Sequence, residues 1–199
     1  SGNLSEVLII FTATLLGWNL PLTAIMLLWI NLISDGAPAL ALAVDPYGED
    51  IMERKPKKSS TTILPKPEML LTSTLAVLST IGALILFFWA DGNAAGQSEL
   101  VQTVAFTFVV LAEFILLLAV RSYFDIKLFT NQWLWLGLIV SVGLQAVLVY
   151  VPAVREIFEL QPLGLREWTA LVIGFAVLAV LSFSAKAIIL SKYKKAEKA

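Results

Sequence analysis

An apolar stretch near the beginning of the chain carries three polar side chains on one face of a predicted helix. Asn31, Ser34 and Asp35 stand at positions i, i+3 and i+4, and residues at this spacing are neighbours on a helix surface. Gly36 and Pro38 follow them. Proline there cannot donate a hydrogen bond to the carbonyl of Ser34, and glycine adds backbone freedom. The sequence therefore predicts an amide, a hydroxyl, a carboxylate and a released carbonyl at one point, a set of oxygens that suits a cation.

The apolar run around these residues is long enough to cross a bilayer. Polar groups are costly in hydrocarbon and are kept where they face a cavity, a partner or an ion. Some transporters bind cations with the carbonyls of interrupted helices near the middle of the membrane. Two interpretations follow: a helix unwound near Asp35-Gly36-Ala37-Pro38 that binds an ion, or a proline-kinked helix whose aspartate pairs with a neighbouring span.

Two further carboxylates fall inside apolar segments. Glu6 is predicted to share a helix face with Asn3, or else to lie exposed near the first residue of the sequence. Glu113 occupies the middle of the apolar run 104–120, which contains no lysine or arginine. An unpaired charge there is costly, so Glu113 is protonated, paired with another helix, or a ligand.

Together these residues predict an all-oxygen site if the helices that carry them pack against one another. Hard divalent cations take such ligands, and calcium accepts six to eight oxygens in irregular geometry. Three acids at low dielectric repel one another, so an emptied site is expected to bind protons and carry them in the opposite direction. The candidate metal ligands are Asn3, Glu6, Asn31, Ser34, Asp35 and Glu113.

The composition fixes the class of protein that must hold these groups in place. Of 199 residues, 58% are hydrophobic and 15% are charged, which is typical of an integral membrane protein in a lipid bilayer. The chain has no cysteine and no histidine. This excludes disulfides, thiolate metal sites and histidine proton transfer within it, and leaves oxygen ligands. No segment resembles a nucleic-acid-binding module.

The predicted fold class is all-α: an integral membrane bundle of six transmembrane helices, one of them unwound. Lysine and arginine concentrate in the loops after the second and fourth spans and in the C-terminal tail. Positive residues favour the cytoplasmic side, so both termini are predicted to be cytoplasmic. The predicted spans are residues 4–16, 22–44, 69–89, 100–120, 133–151 and 168–190.

At residues 28–42 the sequence, L-W-I-N-L-I-S-D-G-A-P-A-L-A-L, resembles the sixth transmembrane helix of calcium-type P-type ATPases. The segment D-I-M-E-R-K-P at 50–56 resembles an element of the cytoplasmic loop that follows this helix. Asn3-Leu4-Ser5-Glu6 is similar to the N-x-x-E of the fifth helix. The resemblance covers essentially the whole chain, as the C-terminal six-helix membrane region of a type II pump.

This resemblance implies that the six candidate residues are ligands of a transported calcium ion, with manganese as the second choice. It implies that Glu6 and Glu113 belong to the first of two sites and that Asp35 bridges both. The loop at 45–67 is expected to contact a phosphorylation domain. Glu113 is assigned by position alone, in a helix without a clear motif.

Several motifs of the resembled family are missing from the 199 residues: D-K-T-G-T, T-G-E, the nucleotide domain and the fourth-helix P-E-G-L segment. The chain is therefore not expected to hydrolyse ATP by itself, has no predicted catalytic residue, and would use Mg-ATP only through other domains of the pump or a separate catalytic chain. The prokaryotic plasma membrane is its expected location. The alternatives are a stand-alone cation/proton carrier and a non-catalytic membrane subunit.

Overall fold

The computed structural model describes residues 1–45, 65–92, 98–124, 126 and 129–196. Every regular element in these ranges is a helix, which confirms the all-α prediction. The loop motif predicted at 50–56 lies outside the described residues. The helices are α1 (Gly2–Leu15), α2 (Ala24–Leu42), α3 (Lys66–Asp91), α4 (Ser98–Tyr123), α5 (Gln132–Tyr150), α6 (Pro152–Ile157) and α7 (Leu165–Ala196).

Five of these helices, α2, α3, α4, α5 and α7, are long and apolar enough to cross a membrane. The predicted count of six spans is not confirmed, because α1 has 14 residues. At about 1.5 Å per residue it extends roughly 21 Å, short of the roughly 30 Å of a hydrocarbon core. The described residues therefore contain five candidate spans and one shorter apolar helix.

Helix α2 is interrupted, but not where the sequence predicted. Residues Gly36–Leu42 are α-helical, so the expected unwound stretch at Asp35–Pro38 is not found. The irregular part comes one turn earlier, where Ile30–Ser34 forms a π-helix and the N–H of Asp35 donates to the carbonyl of Ile30 at 2.9 Å. The backbone thus stays helical before Asp35, but this hydrogen bond encloses one residue more than in an α-helix.

Pro38 removes a further hydrogen bond at the end of the π-helical turn. Pro38 has no N–H for the carbonyl of Ser34, and its ring crowds that carbonyl. The N–H of Ala39 bonds to the carbonyl of Asp35 at 2.9 Å, which restarts the helix beyond the break. Such π-type turns inside helices occur frequently at functional sites.

Helix α4 occupies the centre of the bundle and is the most buried of the five long helices. It packs against α1, the π-helical turn of α2, α3, α5 and α7. A tight connection joins α1 to α2: Gly17 adopts a left-handed φ of 66°, and the Thr23 hydroxyl accepts from the N–H of Met26 at the start of α2. This turn sets α1 beside α2, and both face α4.

Candidate cation site between α1, α2 and α4

A cavity of about 540 Å³ lies where α1, α2 and α4 meet. Its polar lining comes from all three helices: Asn3 from α1, Ser34 and Asp35 from α2, and Glu113 from α4. We call it the carboxylate cavity. It therefore brings together four of the six candidate ligands, although Asn3 and Glu113 are 110 positions apart in the sequence.

Glu113 is the most buried of the acidic residues that line the carboxylate cavity. The residue is 6% exposed, and neither carboxylate oxygen has a hydrogen-bond partner among the described residues. Its carboxyl group lies against those of Asp35 and Glu6. Gly2 leaves room for it, because a Cβ at that position would stand 2.8 Å from Glu113 Oε1. A buried carboxylate with no donor is costly, so this position needs a proton or a cation.

Glu6 and Asn31 form a pair beside the cavity rather than in its lining. The Asn31 amide donates to Glu6 Oε2 at 3.0 Å and to the carbonyl of Leu27 at 2.9 Å. Glu6 is 5% exposed, and its Oε1 has no partner among the described residues. The amide thus fixes one carboxylate oxygen and leaves the other available.

Ser34 and Asp35 place their oxygens at the end of the π-helical turn. Ser34 is 2% exposed, and its hydroxyl has no hydrogen-bond partner in the described part of the chain. Asp35 is half-buried, whereas Asn3 and Asn31 are exposed. The site is therefore buried on the α4 side and open on the side of the two asparagines.

The oxygen donors suit a hard cation, but the acids alone do not form a metal cluster. Within the described ranges, no group of three or more histidine, cysteine, aspartate or glutamate residues could hold a metal ion. Ion binding here would also need hydroxyl, amide and backbone carbonyl oxygens, which calcium accepts readily. These donors are present in Ser34, Asn3 and Asn31.

A second polar group closes one end of the cavity, at the ends of α2 and α4. Arg121 is 4% exposed and donates through Nε to Asp45 Oδ2 at 2.9 Å and through Nη2 to Asp45 Oδ1 at 2.8 Å. The same Nη2 reaches the Thr130 hydroxyl at 2.8 Å. The Asn131 amide donates to Asp45 Oδ1 at 3.0 Å and to the carbonyl of Ala41 at 2.8 Å. We call Asp45, Arg121, Thr130 and Asn131 the Asp45 cluster.

Sequence reasoning missed this cluster and the role of Gly2. The predicted span 100–120 left Arg121 in the loop that follows, where basic residues were used to predict orientation, whereas α4 continues to Tyr123 and buries the guanidinium. One signal was available: an arginine in the last turn of an apolar helix must pair or reach water. Its partner could not be read from the sequence, because Asp45 lies 76 positions away.

The apolar helices and the buried polar site between them define an integral membrane protein that holds polar groups between its helices. Its family follows from comparison with known proteins. Residues 19–188 match the family described as "Cation transporting ATPase, C-terminus", and the chain belongs to this family. The expected resemblance to the C-terminal membrane region of calcium-type P-type ATPases is thereby confirmed.

Relatives with curated names agree with this membership. The chain is similar to Calcium-transporting ATPase 1 of Bacillus cereus (33% identity, 89% of this chain, 22% of the relative). It is similar to the Calcium-transporting ATPase of Bacillus subtilis (31%, 89% and 20%) and to Calcium-transporting ATPase type 2C member 2 of Mus musculus (29%, 82% and 18%). The chain spans about one fifth of the length of these curated relatives.

Proposed function

We propose that this chain, over residues 1–199, is the cation-translocating membrane domain of an ATP-driven calcium pump. The carboxylate cavity carries the proposal: Asp35 and Glu113, from different helices, face one space beside a helix break, and the oxygens of Glu113 and the hydroxyl of Ser34 have no protein donor in the described residues. Buried oxygens of this kind require a cation or protons. The names of the relatives make calcium the first candidate. Manganese is the second, because it also accepts carboxylate and carbonyl oxygens.

In this proposal the six candidate residues act as ligands. Asp35 and Glu113 supply the charge, and Ser34 offers its hydroxyl and the carbonyl that Pro38 leaves without a donor. Glu6 contributes Oε1, since Asn31 holds its Oε2. The Asn31 carbonyl oxygen and Asn3 approach from the open side.

Transport then depends on exchange of the ion for protons. When the cation leaves, its positive charge among these acids must be replaced, and protons are the proposed replacement. ATP would act through a part of the pump outside this sequence, either further domains or a separate catalytic chain, with Mg-ATP bound there. The charge distribution and the bacterial relatives favour a prokaryotic plasma membrane with both termini in the cytoplasm.

Equilibrium binding of calcium and of manganese to the purified protein at its full natural length tests the proposal. We expect Asp35→Asn to abolish calcium binding and Glu99→Gln, a carboxylate variant at the other end of α4, to bind normally. Wild-type affinity in Asp35→Asn would overturn the ligand assignment. Calcium uptake into vesicles without ATP would instead indicate a stand-alone carrier.

A further inference from the structure

The second half of α2, Gly36–Leu42, is joined to the first half by an incomplete set of backbone hydrogen bonds. The π-helical turn Ile30–Ser34 and Pro38 interrupt the regular hydrogen bonds between the two halves. Beyond the break, Gly36–Leu42 packs chiefly on α5, and Leu40 is 77% exposed. Something other than helix continuity must therefore set where this half lies, and with it the position of Asp35 at its beginning.

The Asp45 cluster provides that attachment. Asp45 follows the last turn of α2 and holds Arg121, in the last turn of α4, with two hydrogen bonds. Asn131, which caps α5 by accepting from the N–H of Leu134 at 3.1 Å, donates to Asp45 and to the carbonyl of Ala41 in α2. The end of α2 is thus tied to both α4 and α5.

The cluster also controls a charge at the cavity. Arg121 and Asp45 both line the carboxylate cavity, and Arg121 follows Glu113 by eight residues, about 12 Å along the helix axis. With Asp45 bound, the guanidinium is compensated by a carboxylate at 2.8 Å. Asp45 thus places a negative charge beside this arginine at the wall of the space that a cation must enter, where screening by water is weak.

We propose that Asp45, Arg121 and Asn131 are positioning residues for cation binding. They fix the second half of α2 so that Asp35 faces Glu113, and Asp45 compensates the charge of Arg121 at the end of the cavity. The inference rests on the proposed function and adds to it three residues that touch no ion themselves.

Calcium binding to the full-length protein tests this, with Asp45→Asn, Arg121→Gln and the double variant compared with Glu99→Gln. Glu99 is the matched control, because its carboxylate also accepts a side-chain hydrogen bond across segments, from Gln161 at 2.6 Å, at the opposite end of α4. We expect Asp45→Asn to lower calcium affinity about tenfold. Arg121→Gln is expected to lower it less, and the double variant to recover part of the loss, because the arginine charge that Asp45 faces is removed together with Asp45.

Wild-type affinity in Asp45→Asn, or an equal loss in Glu99→Gln, would overturn the proposal. Thermal unfolding establishes that each variant is folded at the temperature of the assay. Should Asp45→Asn not fold, Asn131→Ser replaces it: serine can still cap α5, but it loses both amide donors to α2, and about a threefold loss of affinity is expected.

The variant Asp35→Asn distinguishes a failure of the positioning role from a failure of the proposed function. If Asp35→Asn binds calcium as the wild type does, the proposed function fails. If Asp35→Asn loses calcium while Asp45→Asn and Asn131→Ser retain wild-type affinity, only the positioning role fails.

Discussion

Two polar regions contact α4 at positions about two turns apart. They differ in whether their buried polar groups have hydrogen-bond partners in the protein. In the carboxylate cavity, both oxygens of Glu113 and the hydroxyl of Ser34 have no partner in the described residues. In the Asp45 cluster, both carboxylate oxygens of Asp45 accept, and the Asn131 amide donates twice. The two regions share a cavity wall but differ in whether the protein satisfies its own groups.

The difference fits the binding role proposed for the carboxylate cavity and the positioning role proposed for the Asp45 cluster. A buried group that the protein satisfies contributes order, whereas one that it leaves open is costly unless something else completes it. Buried ion pairs are weak sources of net stability, yet removing one partner is strongly destabilising. Substitutions in the two regions should therefore affect stability and cation affinity in different proportions.

The largest expected effect is on stability at the Asp45 cluster. The Arg121 side chain is 2% exposed, and Asp45→Leu would leave its charge without this carboxylate. We expect the free energy of unfolding in detergent to fall by about 3 kcal/mol. Glu113→Gln should cost less than about 1 kcal/mol without calcium, because an amide of similar shape replaces a carboxyl group that has no hydrogen-bond partner in the described residues. Equal losses in the two variants would remove the distinction between the regions.

Glu113→Gln should instead show its effect in binding. Ligand charge sets calcium affinity over several orders of magnitude, so we expect a loss of roughly 100-fold, measured by equilibrium calcium binding to folded protein. Gln145→Leu, which removes another buried polar side chain at a helix contact, that between Gln145 and Thr107, is the control. Tight calcium binding in Glu113→Gln would show that this residue is a buried structural acid.

The sequence predicted more of the carboxylate cavity than of the Asp45 cluster. Asn31, Ser34 and Asp35 could be placed together because helical spacing alone puts them on one face. Pro38 indicated an irregular turn nearby. The sequence did not predict that the turn is π-helical. A π-helix differs from an α-helix in which backbone groups are hydrogen-bonded, and no residue type is specific to that difference. The pairing of Asp45 with Arg121 depends on how three helices pack, which local spacing does not determine.

Gly2 offers a finer test of the cavity, since its missing side chain makes room for Glu113. In Gly2→Ala the new Cβ would stand 2.8 Å from Glu113 Oε1, so the carboxylate must move to another position in the cavity. We expect calcium affinity to fall about fivefold. The matched control is Gly143→Ala in α5, where an added Cβ meets no atom within 4 Å. A result in which both variants bind calcium like the wild type would mean that the position of Glu113 has no influence on the ion.

The smallest expected effect is the pH dependence of the Asp45 cluster. Hydrogen bonds from Arg121 hold the pKa of Asp45 below its ordinary value. A carboxyl group whose pKa is lower in the folded state stabilises the fold above its unfolded pKa, near 4, and loses that contribution as the pH falls through the folded value. The stability difference between wild type and Asp45→Asn should therefore be constant from about pH 7 to pH 5 and shrink below about pH 4. Thermal unfolding at several pH values measures it. A difference that persists unchanged at the lowest pH would mean that the amide loses packing or geometry rather than charge, and the cluster would then position α2 by shape alone.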